Sequence, residues 1–477
     1  MRVLGPLHYA IIESTLSNKA SSAISPYARH LLLLSQEQTV TLREDITSRS
    51  YQVLFKRGTP LDEQVVKTLN RETALKPLEQ LITIEDELNA DVLYQVLDQF
   101  INCDPCFTEL YQQRDLSNKF KQCIETFCEF ELLRQKLTVL AVRIPEVFDQ
   151  SLFCAWLAIT ILSSENYPQN SLNSMFIAAL SHDLGLLNIP PEYFQEDKGQ
   201  NPQHWQEIQQ HTTHSAELLK GIAGVDADCI RAVMEHHETI DGTGYPKGKI
   251  KNQLNEYGQM LHILDNIYVT YRKHFKVRGR TLHDLVPIIQ MTTFSMSDRF
   301  SKILIALFNK TSTTEHHCIA DKLVSPAIKL IKSNAREIQS FIDITEKFVR
   351  RIGSEHKDIK LLILQKMSAL IKTITANCGI INDAYLRWLD QVEEEQLDSA
   401  YRELEDVLLM TQEIQSHITN YKKHLVIYLT KHGQSTNAPE VTEMKLALEA
   451  ISHEEPEIEL QSYLKGDELS LHFIAQI

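Results

Sequence analysis

Apolar residues recur at helical spacing along most of the chain and at strand spacing only near its start. Residues 39–46 and 50–55 alternate apolar and polar positions, which predicts two short strands. Gly58, Thr59 and Pro60 then open a predicted helix, proline suiting a first turn, with Val65, Val66 and Leu69 on its buried face. These elements predict a small α/β module over residues 1–89, with a sensing, docking or structural role. From residue 90 onward the pattern is helical. Val92, Leu93, Val96, Leu97, Phe100 and Ile101 form one stripe, and Phe120, Cys123, Ile124, Phe127 and Phe130 form another. Such stripes read as core, which makes residues 90–143 a helical lead-in. Beyond residue 297, long amphipathic helices are predicted over 328–352, 357–375, 380–392 and 399–429, with Gly353, Gly379 and Gly433 near their ends. No strict heptad persists, so residues 309–433 predict a helical bundle and not a coiled coil. Glu393, Glu394 and Glu395 read as a solvated connection, and 434–477 as a tail or a final small element. The predicted fold class is mainly α, with a small α/β N-terminal module and a helical C-terminal bundle.

The chemistry lies between these ends. Phe176, Ile177, Ala179 and Leu180 lead into His182 and Asp183. A second stripe, Trp205, Ile208, Leu218, Leu219 and Ile222, carries His211. A third, Ile230, Val233 and Met234, continues in His237, with His236 beside it; Leu261 and Leu264 share a face with Asp265. One such histidine would read as a satisfied core residue. Four imidazoles and two carboxylates converging in a core would need more hydrogen-bond partners than a core offers, so the set reads as a metal site. Mixed His/Asp ligands suit Fe, Mn or Zn better than Ca or Mg. The run Asp241-Gly242-Thr243-Gly244-Tyr245-Pro246 predicts a turn, its glycines taking positive φ and Pro246 keeping Tyr245 extended.

Composition narrows the partners. With 48 basic against 63 acidic side chains the formal charge is -15, which disfavours DNA and anionic membranes. Residues 1–20 show no signal-peptide pattern, and the longest apolar run, 152–162, is shorter than the ~20 residues of a spanning helix, so a cytoplasmic location is expected. The eight cysteines, Cys154 among them, read as reduced core residues, and Cys103 and Cys106 flank a turn or helix start.

The motifs over about residues 144–308 resemble the HD-GYP family of HD-domain metal-dependent phosphohydrolases. His182-Asp183 matches the HD pair, His211 the lone histidine and His236-His237-Glu238 the HHE. Asp241 to Pro246 matches the DGxGYP loop, and Asp265 the last metal aspartate. The resemblance implies an all-helical domain holding one or two transition-metal ions, Fe or Mn ahead of Zn. In it Asp183 bridges, His211, His236 and His237 hold one ion, and His182 and Asp265 the other. It implies hydrolysis of a phosphodiester by metal-activated water, with cyclic di-GMP or a related nucleotide as substrate. The loop of Asp241, Gly242, Gly244, Tyr245 and Pro246 is implied to meet substrate or partner signalling proteins such as diguanylate cyclases, and a homodimer is compatible. Two positions depart from the family. Gln150 stands where a ligand histidine is expected, and Leu186 where the HDxGK lysine is. Glu146 and His262, each one turn from a ligand position, are candidate substitutes; His214 reads as a helix-surface residue or a support to the ligands. The alternative to an enzyme is a degenerate, non-catalytic HD-GYP signalling module that binds a nucleotide or a partner protein through the same cleft.

Overall fold

In a computed structural model, residues 24–48, 51–72, 76–112, 116–194, 202–240, 242–292, 298–312, 319–353, 358–433, 437–451 and 460 are described. Asp241, Cys318 and most of the predicted tail lie outside them. The contacts divide the chain into two compact units, Met1–Asp86 and Glu87–Ile477.

The first unit is a small α/β fold. It comprises α1 (Pro26–Leu34), β1 (Val40–Leu42), β2 (Ile46–Thr47), β3 (Val53–Phe55), α2 (Glu63–Glu72), α3 (Leu78–Leu81) and β4 (Ile82–Ile84). Strand β1 pairs antiparallel with β4, Val40 opposite Ile84 and Leu42 opposite Ile82, while β2 pairs with β3. The strand expected over 39–46 is thus two strands that serve different pairs. Pro60 does not open a helix: it bridges to Thr41, Leu61 N donates to Val40 O, and α2 begins only at Glu63. A residue without an N–H can end an edge pairing at no hydrogen-bonding cost. Leu31, Leu34, Val40, Leu42, Val66 and Ile82 are buried and form the core.

The second unit is helical. It runs through α4 (Ala90–Asn102), α5 (Pro105–Gln112), α6 (Ser117–Cys128), α7 (Glu131–Arg143), α8 (Pro145–Ser164), α9 (Gln169–Ser181), α10 (Pro202–Ile208), α11 (His211–Lys220), α12 (Ala227–Glu235) and α13 (Glu256–Thr270). It continues with α14 (Val286–Thr292), α15 (Asp298–Phe308), α16 (Asp321–Ile352), α17 (Ile359–Cys378), α18 (Asp383–Glu395), α19 (Tyr401–His432) and α20 (Ala438–Glu449). Mainly α is therefore the fold class. Asp104 caps α5 by accepting from Cys106 N, so the Cys103/Cys106 pair is a helix start and no metal site; the described cysteines are all free.

Helix α8 is apolar on every side and is the axis of the unit. Among the described residues it is the one helix long and apolar enough to cross a membrane, and 83% of that stretch is buried inside the protein. An all-round apolar helix of this kind is a core helix. Its neighbours α7, α9 and α13 cover it, and Trp156 and Phe153 join Phe107 and Tyr268 in an aromatic cluster with ring centroids 4.6–5.7 Å apart. At the other end, α16 and α19 pack lengthwise, with Phe341 edge-on to Tyr421 at 5.0 Å. The acidic run at Glu393 closes helix α18 and is not a connection; Ser325 donates to Glu393 at 2.5 Å. Helix α20 packs Val441, Met444 and Leu448 against α16 and α19.

Candidate metal centre

Three helices end at one point. Helix α9 stops at His182, α12 stops at His236, and α10 stops at Ile208, three residues before His211. The continuous stripe expected from Trp205 to Ile222 is therefore two helices, broken at Gln209 and Gln210, and the break is what turns His211 inward. Each of the three imidazoles uses Nδ1 in the same way. His182 donates to Ala179 O, His211 to Ile208 O and His236 to Val233 O, all at 2.7 Å. A ring whose Nδ1–H is held by a carbonyl presents a lone pair on Nε2, the tautomer that binds metal.

The Nε2 atoms converge on Asp183. His211 lies 3.2 Å and His236 3.5 Å from Oδ1, while His182 lies 3.3 Å from Oδ2. His211 and His236 face each other Nε2 to Nε2 at 3.2 Å. With both Nδ1 positions already donating, this is lone pair against lone pair beside a carboxylate. Neither Asp183 oxygen, nor His182 Nε2, nor His237 Nε2 has a properly angled hydrogen-bond partner, although all three residues are buried. Orphaned acceptors cost roughly 1–3 kcal/mol each, more when charged, and a cation answers all of them together. The residues present therefore fit a metal ion. Asp183, His211, His236 and His237 can each offer an atom within 4.8 Å of the others, and so can a second group, Cys154, His182 and Asp265. The six expected ligands are brought together, and Cys154 joins them unforeseen.

The buried carboxylates and imidazoles shift one another's protonation. Burial opposes ionisation of Asp183, but the neighbouring imidazoles of His182, His211 and His236 hold its carboxyl well below the usual range. Burial would lower His182, yet Asp183 and Asp265 outweigh it and raise the ring to about 9. Burial, with neighbouring imidazoles, lowers His236 and takes His237 well below its ordinary value.

The departures acquire physical roles. Gln150 is buried on α8 and donates through Nε2 to Asp265 Oδ1. Leu186 is fully buried in the short turn Leu184–Asn188, packed as core. His262 is no replacement ligand, because its Nδ1 faces His236 O at 3.1 Å and its Nε2 faces Asn266. Glu146 belongs to neither ligand group. His214 stands on α11, half-buried, where burial lowers it.

Close approach explains the glycines. A Cβ on Gly185 would sit 2.1 Å from His211 O, where the turn after the HD pair meets α11 and Gly185 N donates to Ser215 Oγ. Gly244 does not need positive φ; a Cβ there would strike His237 O at 2.3 Å. Only Gly242 takes the left-handed conformation expected, at φ 80°. Tyr245 N donates to His237 O and its ring stacks on His237, centroids 4.8 Å apart. Glu238 is a clamp and not a ligand: its two oxygens accept from Lys247 N at 2.7 Å and Lys249 N at 2.8 Å. Behind the loop a cavity of about 190 Å³, lined by Thr239, Thr243, His262, Asn266, Met367 and His417, separates it from the C-terminal helices.

This geometry coincides with a family match: residues 135–292 match the family described as HD domain. Residues 135–292 form an HD domain. Over 112 residues, the chain is 27% identical to a cyclic di-GMP phosphodiesterase of Pseudomonas aeruginosa, covering 24% of this chain and 27% of that protein. Over 75 residues it is 35% identical to 3'3'-cGAMP-specific phosphodiesterase 1 of Vibrio cholerae, covering 16% of this chain and 17% of that protein. The chain thus spans about a quarter or less of the length of these relatives. The HD-GYP likeness read from the motifs holds for this HD domain. No solved structure matches significantly.

Proposed function

We propose that this chain is a metal-dependent phosphohydrolase that opens a phosphodiester of a cyclic dinucleotide. Cyclic di-GMP and 3'3'-cGAMP are the first substrates to test, since the relatives this chain is similar to are phosphodiesterases for these two. The observation that carries the reading is the convergence of donor-less Nε2 and carboxylate atoms on Asp183 inside that domain. His211, His236, His237 and Asp183 hold one ion, Fe or Mn ahead of Zn, and His182, Asp265 and Asp183 serve a second. A divalent ion there would supply positive charge to the phosphate oxygens and acidify an attacking water. The chain's own part is orientation and exclusion. The helix-end carbonyls anchor each Nδ1–H and aim Nε2 at Asp183, Asp183 turns one oxygen to each half, and Glu238 and the Tyr245–His237 stack hold the loop of Gly242, Gly244, Tyr245 and Pro246 at the rim. That rim is where substrate or a partner such as a diguanylate cyclase docks. Residues 144–308 act as the hydrolase domain, 1–89 as an input module and 309–433 as an output bundle, in the cytoplasm.

The full chain, purified anaerobically and reconstituted with Fe²⁺ or Mn²⁺, is expected to convert cyclic di-GMP or 3'3'-cGAMP to linear product, read by chromatography. Failure on both, and on an aryl phosphodiester, overturns the reading. A second reading is favoured by Leu186, a buried apolar residue just after the HD pair: a binding module without turnover. Nucleotide binding with no product in the same assay is its signature.

A further inference from the structure

Helix α8 carries Gln150 at the position of the missing imidazole, and one turn later, on the same face, it carries Cys154. Both are fully buried. The ligand-type atoms of Cys154, His182 and Asp265 lie within 4.8 Å of one another. His182 Nε2, 3.5 Å from Asp265 and 3.3 Å from Asp183, has no properly angled partner, and neither does Gln150 Oε1. Unpartnered, buried, polar atoms thus face the place a thiol occupies.

We propose that Cys154 Sγ is a metal ligand, which makes the second position a Cys/His/Asp site selective for a thiophilic divalent ion such as Zn²⁺, Co²⁺ or Fe²⁺. The inference rests on the metal-dependent reading above and deepens it. Binding exchanges the thiol's S–H bond for an S–metal bond, the proton leaving to solvent, with no change of oxidation state. Gln150 is a positioning residue in this arrangement: it donates to Oδ1 of Asp265. The two positions therefore differ in kind. The His211/His236/His237/Asp183 position offers nitrogen and oxygen only, whereas the other adds sulfur, which selects against Mg²⁺, Ca²⁺ and Mn²⁺.

The test uses Co²⁺ as probe on the anaerobically purified full chain. The wild type is expected to bind about two ions and to show thiolate-to-cobalt charge-transfer absorption in the near ultraviolet. Cys154→Ser and Cys154→Ala should lose that band and bind about one ion, with their metal-free melting curves reporting folding. X-ray absorption on the Zn²⁺-loaded wild type needs no variant and should find one sulfur at about 2.3 Å. Bound ions without the band or the sulfur, or a band that survives in both variants, overturn the assignment and leave the histidine position standing. A wild type that binds no ion at all overturns the metal-dependent reading and this inference with it.

Discussion

Around Asp183 the molecule builds two half-sites by different means. The first is uniform: His211 and His236 sit at helix ends with Nδ1 on a carbonyl at 2.7 Å, His237 lies under Tyr245, and Oδ1 of Asp183 completes the set. The second is mixed. It has the same anchored histidine in His182, but its aspartate is occupied on one side by Gln150, and a thiol stands one turn further along α8. Losing one imidazole from a helix face does not empty a coordination position when the next residue on that face can also donate. It changes the position's selectivity.

Four substitutions break or sharpen this contrast. Asp183→Asn keeps the shape but removes the charge both halves share, so ions should be lost from both and hydrolysis should fall by roughly a thousandfold or more, checked by metal analysis and turnover. Leu186→Lys restores the family's lysine in name only. The side chain lies in the core, so the expected result is destabilisation of about 3 kcal/mol in urea unfolding and no gain in activity. A gain in turnover without that loss would mean the position opens to substrate. Gln150→His adds a nitrogen to the weaker half; retention of the second ion against a chelator should improve by about tenfold, while the first is unmoved. Glu146→Ala should leave ion content unchanged and turnover within about twofold, because Glu146 belongs to neither half. A loss of metal there would place a further carboxylate in the centre.

The centre was legible in the chain because its ligands come in short contiguous motifs, and those motifs encode local geometry. His182-Asp183 and His236-His237 each sit where a helix stops, so the pair turns inward together. What was not legible depends on distant or featureless sequence. Strand β4 is three residues long and meets β1 across a separation no periodicity reveals. Pro60 looks like a helix opener until its pairing with Thr41 is seen. Cys154 reads as core in the sequence because α8 is apolar all round, so no face stands out and a ligand there carries no signal of its own; only its place one turn after Gln150 marks it. In the sequence Gly244 reads as a glycine of backbone conformation, whereas in the fold the space for a side chain is taken by His237 O.

The helix ends that hold the imidazoles carry a further consequence. Peptide dipoles add along a helix to roughly half a negative charge at its C-terminus. Helices α9 and α12 end just before His182 and His236, so their C-terminal carbonyls add negative potential beside the centre, while α11 begins at His211 and its positive N-terminus offsets part of it. Stripping ligands one at a time should therefore weaken cation binding in graded steps, with attraction for a divalent ion persisting after any single imidazole is gone.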